Sequence, residues 1–417
     1  MIFKRRFRIP LHDIRVYIVI HGFLLFLLRP YLTYKNGENV ITGIINENIY
    51  FTSFIIGIIA FLSMLTIVLN TKSEYQDRSF SVSVSTITFS RFMMVFFIWL
   101  IFYIIFNKDR LKLGLLELMF QPQVDFIQSN STFISNSLTG IYPIFIIAAF
   151  SVGIKKHLKL IFVIFLILFA LPIGIISGSK SLVLNPLFLM MLRYSAKNKG
   201  LPFVFLFLVM LIGIPVFASL ELVRHEGLIG LANFFSNNND NLQLDNILLA
   251  ATNRFYGTDV VYSIIYNHEF LNRPYLFGSS LLGLFFFIVP RALWENKPII
   301  SFGKVVSDEY LGSEFWSTGI SAAPTWIGEL FANFSYFSVP IYILSVFLIM
   351  RHISRCYSTN TRAWKKVYYF PIAFTTLCFF QEASIAGWIL QLLTFAFLCY
   401  FFSILLHGKH YSIKNGL

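Results

Sequence analysis

"LFGSSLLGLFFFIVPRALWENKP", Leu276–Pro298, begins as a membrane segment and breaks off at Pro290 into arginine, tryptophan, glutamate and lysine. The apolar part, 276–290, holds 15 residues. A straight helical crossing needs about 20. The stretch therefore dips into the membrane without spanning it, or pairs with the preceding segment 247–267 to add two crossings. A plain anchor needs flanking charge but no such ordered mixture, whereas a site handling a charged, membrane-embedded molecule does.

The chain around it is apolar enough to make the bilayer its solvent. Of 417 residues, 57% are hydrophobic and 13% charged, and mean hydropathy is +0.71. Other apolar segments lie near 14–32, 49–69, 86–106, 136–153, 158–177, 181–194, 201–222, 325–350, 366–383 and 386–406. Inside lipid they must be helical, because nothing else satisfies their backbone groups. The pattern predicts an all-α polytopic membrane protein, one integral domain over 1–417, with about 10–12 transmembrane helices. The basic start followed by an apolar run imitates a signal peptide. No small-residue cleavage site follows, so it reads as a retained first helix.

The net charge of +13 argues topology here and not nucleic acid, because many basic residues flank apolar runs. Lys4, Arg5, Arg6, Arg8 and Arg15, then "KKHLK" at 155–159, "RYSAKNK" at 193–199 and the loop from Arg351 to Lys366 are expected on the cytoplasmic side. Lys409 and Lys414 agree, which puts both termini inside. Lys108, Arg110 and Lys112 fall outside in this arrangement and fit it poorly. The segment 223–323 is then extracytoplasmic, with 276–290 as a re-entrant or short helix. Cys356, Cys378 and Cys399 have no paired spacing, so neither disulfides nor a metal site is implied.

The outer region concentrates ionisable residues: Arg224, His225, Glu226, Arg254, Asp259, His268, Arg273, Arg291, Glu295 and Lys297. Part of this is ordinary wetness of a loop. Several members nevertheless sit in or beside apolar helical runs, where ionisable groups are costly and mark function. Arg254 and Thr258 share a helical face with Asp259 adjacent, which fits an internal Arg–Asp pair and substrate contact about equally. Arg291 follows a helix-breaking proline, and its guanidinium suits bidentate phosphate recognition, with Lys297 adding a point charge. Interfacial snorkelling accounts for Arg291 almost as well.

In "SAAPTWIGELFANFSYF", 321–337, Pro324 suits a first helical turn and Ser321 a cap. Thr325, Glu329 and Asn333 then recur every four residues and lay a polar stripe on one face. Glu329 either faces substrate or pairs with an arginine from the loop. Lys180, in the hairpin "ISGSKSLVLNPL" (176–187), either reaches a lipid headgroup or simply snorkels from a turn. Glu382 reads as a hairpin residue and His21 as a packing residue. No phosphate-binding loop, HExxH or DxD-type metal pair occurs, which disfavours ATP-driven transport and a metal-dependent cytoplasmic sugar transferase.

"ISGSKSLVLNPLFLMMLRY", "NRPYLFGSSLLGLFFFIVPRALWENKP" and "SAAPTWIGELFANFSYFSVP", in that order, resemble the oligosaccharide repeat-unit polymerases of the Wzy type, the O-antigen or capsular polysaccharide polymerases. In that family the segments read as a Gly-Ser-Arg hairpin, a Pro-Arg-x-x-Trp-x-x-Lys-Pro element and a Pro-Thr-x-x-Gly-Glu helix start. Lys180 departs from the family's usual arginine and loses the bidentate fork. The resemblance implies a glycosyltransferase of the bacterial inner membrane, multi-pass, without metal or other cofactor. It would polymerise undecaprenyl-diphosphate-linked oligosaccharide units on the outer face, for lipopolysaccharide or capsule. Membrane lipids, a flippase and a chain-length regulator are the implied partners, and nucleic acid is not.

For that reaction Arg254, Arg291 and Lys297 are the expected diphosphate contacts, with Arg224 and Lys180 behind them. Glu329 leads as general base, followed by Asp259, His225 and Glu226, while Trp294, Thr325 and Asn333 are expected to touch glycan. A lipid-linked oligosaccharide flippase, a polysaccharide ligase and a membrane acyltransferase are the competing readings. In a cysteine-free chain, a cysteine placed at Ser301 is expected to react with an impermeant thiol reagent on intact spheroplasts, and one at Ser358 to be protected. The opposite labelling would invert the topology.

Overall fold

The computed structural model describes residues 8–9, 14–36, 46–70, 86–113, 132–177, 191, 201–202, 257–286, 294, 302–306, 310, 325–357, 364–369 and 384–407. They are mostly helical. The principal helices are α1 (Ile14–Phe23), α2 (Arg29–Asn36), α3 (Glu47–Asn70), α4 (Phe89–Phe106) and α5 (Thr132–Ala149). They continue with α6 (Lys156–Ser177), α7 (Gly257–Glu269), α8 (Trp326–Phe334), α9 (Ser338–Tyr357) and α10 (Ile385–His407). A two-residue antiparallel pair joins Arg8–Ile9 to Leu201–Pro202. Six helices among the described residues are long and apolar enough to cross a membrane, and the apolar helix Leu138–Ala149 is shorter.

The first span is continuous but not regular. A π-helical turn, Leu24–Leu28, joins α1 to α2 just before Pro30, which has no N–H to continue the α pattern. Hydroxyls from neighbouring helices reach the carbonyls at this irregularity: Thr258 donates to Leu25 and Tyr50 to Pro30. The backbone of a membrane helix is thereby kept satisfied where its own ladder changes step.

Two groups of helices pack together. In one, α3 packs against α1, α7 and α9, and α8 packs against α7 and α9. In the other, α5 packs against α4, α6 and α10 around an aromatic cluster of Phe92, Phe96, Trp99, Tyr142 and Phe145. Small residues permit the closest approaches. A Cβ on Gly328 would stand 3.1 Å from Ile264 Cδ1, so the side chains of α7 pack directly onto the glycine of α8.

The contacts sort the ends of the helices. Arg91 at the start of α4 donates to the Leu405 carbonyl near the end of α10 (2.6 Å), and Tyr368 meets His407. Ile87 bridges Val152 just before Lys155, Lys156 and Lys159. These basic residues, with Lys365, therefore gather at the end of the bundle where α10 finishes. At the opposite end lie Asn46, whose N–H donates to the Tyr262 hydroxyl (2.8 Å), the start of α10, and Lys108 and Lys112 just past the end of α4.

Of 247–267, residues 257–267 are described and belong to the helix Gly257–Glu269. Of 276–290, residues 276–286 are described, with a 3₁₀ turn at Ser279–Leu282 followed by helix at Gly283–Phe286. Gly278, at φ +88°, Ser279, Ser280 and Gly283 give it weak helical propensity. In 136–153 the helix ends at Ala149, because Ser151 and Gly153 bond across to Ile87. The segments 181–194, 201–222 and 366–383 lie largely outside the described residues.

A buried ion pair, Arg29–Asp259, joins α2 to α7. Arg29 Nε and Nη2 both donate to Asp259 Oδ2 at 3.3 Å, Thr33 donates to Oδ1 at 3.3 Å, and both ions are fully buried. Removing one partner of such a pair strands the other charge, at a cost of about 3–5 kcal/mol. Asp259→Ala is therefore expected to lower the detergent-solubilised protein's unfolding midpoint sharply, and Arg29→Met with Asp259→Leu to recover much of the loss. Equal loss in the single and double variants would contradict the pairing.

Candidate functional site

The polar stripe on α8 is built as its spacing predicts, and it is entirely internal. Every residue from Thr325 to Asn333 is buried, with Thr325, Glu329 and Asn333 at 0% exposure. Thr325 caps the helix, its Oγ1 accepting from Gly328 N at 3.1 Å. The cap is thus Thr325 and not Ser321. Its φ of +52° turns the chain sharply into the helix.

Glu329 joins three segments. Ser280 Oγ donates to its Oε1 at 2.8 Å, and the Ile385 N–H donates to its Oε2 at 2.7 Å. Ile385 is the first residue of α10, so its N–H has no partner within its own helix. The carboxylate takes that place at the positive end of the helix dipole, where negative charge is stabilised. Asn333 completes the arrangement: Nδ2 donates to Ser280 Oγ at 2.8 Å and to the Glu329 carbonyl at 2.7 Å, and Oδ1 accepts from Gly278 N at 2.7 Å. The Leu276 N–H donates to the Ala332 carbonyl at 2.9 Å. Of the two readings for Glu329, a substrate-facing role and a pairing with a loop arginine, the described residues show neither partner: a hydroxyl and a helix N-terminus bond the carboxylate. Each carboxylate oxygen keeps an accepting lone pair.

Asp259 is placed differently from its expected role. Arg29 and Thr33 hold both its oxygens, and Ser263 donates to its backbone carbonyl (3.1 Å). The acid locks α2 to α7. Nothing in the sequence links positions separated by 230 residues, and Arg29 reads there as an ordinary end-of-span arginine.

A second polar cluster was not foreseen. The His268 Nδ1–H donates to the Arg273 carbonyl (2.9 Å), which leaves Nε2 to accept from the Tyr310 hydroxyl (3.0 Å). The imidazole stacks on Tyr275, with centroids 4.4 Å apart, and the Arg273 guanidinium lies 4.6 Å over the Tyr310 ring. Burial, more than the nearby Arg273 charge, holds the His268 imidazole below its ordinary pKa. The sequence marks His268 and Arg273 as charged members of a loop, but no spacing ties them to Tyr310.

Trp294 is half-buried with its ring edge-on to Phe286 at 5.2 Å. His225, Glu226, Arg224, Arg254, Arg291, Lys297 and Lys180 lie outside the described residues. The site that is described is therefore the α8 stripe with Ser280 and Ile385.

The fold defines a multi-pass helical membrane protein. No family model matches the chain, and neither does any curated protein or solved structure.

Ser280→Ala removes the donor to Glu329 and the acceptor for Asn333 together, leaving buried polar groups short of partners at about 1–3 kcal/mol. The expected result is a lowered unfolding midpoint with normal membrane abundance, and Ser280→Thr is expected to restore it. An unchanged midpoint for Ser280→Ala would contradict the network.

Proposed function

We propose that this chain is a membrane glycosyltransferase that extends a glycan on an isoprenoid-diphosphate carrier, a repeat-unit polymerase working at the outer face of the bacterial cytoplasmic membrane. One observation carries the reading. Glu329, a fully buried carboxylate, is held by directed hydrogen bonds from a hydroxyl and a helix N-terminus at the end opposite Lys155, Lys156, Lys159 and Lys365. Carboxylates at membrane depth are expensive and mark function. With the basic end cytoplasmic by the positive-inside rule, Glu329 lies toward the outer leaflet. The residues that carry the resemblance to repeat-unit polymerases include Thr325, Gly328 and Glu329.

In the transfer, the acceptor sugar's hydroxyl loses its proton to the Glu329 carboxylate as its oxygen bonds to the donor's anomeric carbon. The bond from that carbon to the carrier's phosphate oxygen breaks, and its electron pair leaves with the lipid diphosphate. Arg254, Arg291 and Lys297 receive the developing charge. Ser280 and Asn333 orient the carboxylate, Thr325 caps the helix that carries it, and Trp294 lines the glycan path. No metal enters the reaction as proposed.

The test is glycan profiling of a strain whose only copy carries Arg291→Ala or Glu329→Gln. Each variant is expected to insert at normal abundance and to leave single repeat units on the final acceptor without long chains. Wild-type chain length in both would overturn the site assignment. Complete loss of surface glycan in a strain lacking the chain would favour a flippase or a ligase instead.

A further inference from the structure

The most exposed large apolar side chains among the described residues lie at two places, 277–286 and 335–337. Phe277 (80%), Phe285 (75%) and Phe337 (75%) exceed the other exposed large apolar side chains. Phe277 precedes Gly278 in a left-handed turn, Phe285 follows the 3₁₀ turn Ser279–Leu282, and Phe337 ends the 3₁₀ turn Ser335–Phe337 that interrupts the apolar stretch Trp326–His352. Phe270 and Leu271, just past α7, are also exposed.

These residues come together at one end of the bundle. A Cβ on Gly278 would lie 3.9 Å from Phe334, and the turn 279–282 packs against α8 and α10. The Tyr336 hydroxyl donates to the exposed Glu269 carboxylate, joining the 3₁₀ turn to the end of α7. This is the end where α10 begins, opposite the gathered basic residues.

Irregular backbone exposed to lipid cannot lie in the hydrocarbon core, where its polar groups would go unsatisfied. Bare phenylalanines in water would cost the burial that they otherwise gain. The boundary between headgroups and acyl chains meets both conditions, and aromatic rings concentrate there. Continuity decides for lipid over a protein partner. Directly beyond the rim the exposed faces of α9 and α10 carry Leu344, Phe347, Leu393 and Phe397, which need acyl chains around them.

We infer that the turns at 270–271, 277–286 and 335–337 form an aromatic rim seated in the outer-leaflet interface. The rim fixes the depth of the bundle, and Glu329 lies beneath it, one hydrogen bond from Ser280. For the glycosyltransferase reading, which this inference deepens, the rim is where the lipid tail of the substrate passes sideways from the bilayer while its diphosphate stays at headgroup level. The seating itself rests on the membrane fold and not on the chemistry.

The test uses single nitroxide labels at Phe277→Cys, Phe285→Cys and Phe337→Cys in the full-length, otherwise cysteine-free chain. Vesicles are of phosphatidylethanolamine and phosphatidylglycerol, and a label at Phe397→Cys serves as the mid-span reference. Power saturation with oxygen and with a neutral nickel chelate is expected to place the rim labels within roughly 5–10 Å of the headgroups, well shallower than the reference. Three outcomes would overturn the inference: full nickel access at all three sites, depth equal to the reference, or exclusion of both reagents by a covering protein. Three separate positions keep the measurement decisive should one variant fail to fold. Glycan chain length does not enter this readout, so failure of the rim and failure of the enzymatic reading are told apart.

Discussion

A carboxylate and a helix N-terminus satisfy each other in the middle of this protein, and much of the described architecture is arranged around that contact. The first N–H groups of α10 have no partners of their own, and a buried carboxylate needs donors. Glu329 Oε2 and the Ile385 N–H meet at 2.7 Å. The contact fixes α8 against α10 and thereby joins the two helix groups, which otherwise pack mainly among themselves. Ser280 and Asn333 extend it to the turn at 278–280, so a segment with little helical propensity gains a defined path.

The Arg29–Asp259 pair does comparable work deeper along α7. It is fully enclosed, and it joins the first span to a helix more than two hundred positions later. Between the two polar contacts, α7 and α8 approach closely through Gly328. Both fall at interruptions: the π turn before Arg29, and the left-handed Thr325 before α8. Interrupted helices are tolerated at membrane depth where protein groups take over the freed hydrogen bonds. Here side chains of Thr258, Tyr50 and Thr325 do so.

What could be read from the sequence follows from the range of each interaction. The long apolar runs declare themselves, because about 20 residues must be apolar to cross. The stripe Thr325–Glu329–Asn333 is legible because four-residue spacing places side chains on one face whatever surrounds them. Its partners are not. That Glu329 meets Ser280 and Ile385 depends on tertiary packing, which spacing along one helix does not encode. Asp259 has the composition of a catalytic candidate and proves to be a lock between helices, since its partner Arg29 looks like any residue at the end of a span. The length of 276–290 marks it as short for a straight crossing, but it does not show where the stretch changes from the 3₁₀ turn at Ser279–Leu282 to the helix at Gly283–Phe286.

The contact between Glu329 and α10 is open to direct measurement by residue-resolved hydrogen–deuterium exchange on the detergent-solubilised chain. The Ile385 amide is expected to exchange slowly in the native protein. In Glu329→Ala it should exchange fast while amides farther along α10, bonded within their own helix, stay protected. Rapid exchange of Ile385 in the native chain, or protection that survives the substitution, would contradict the account.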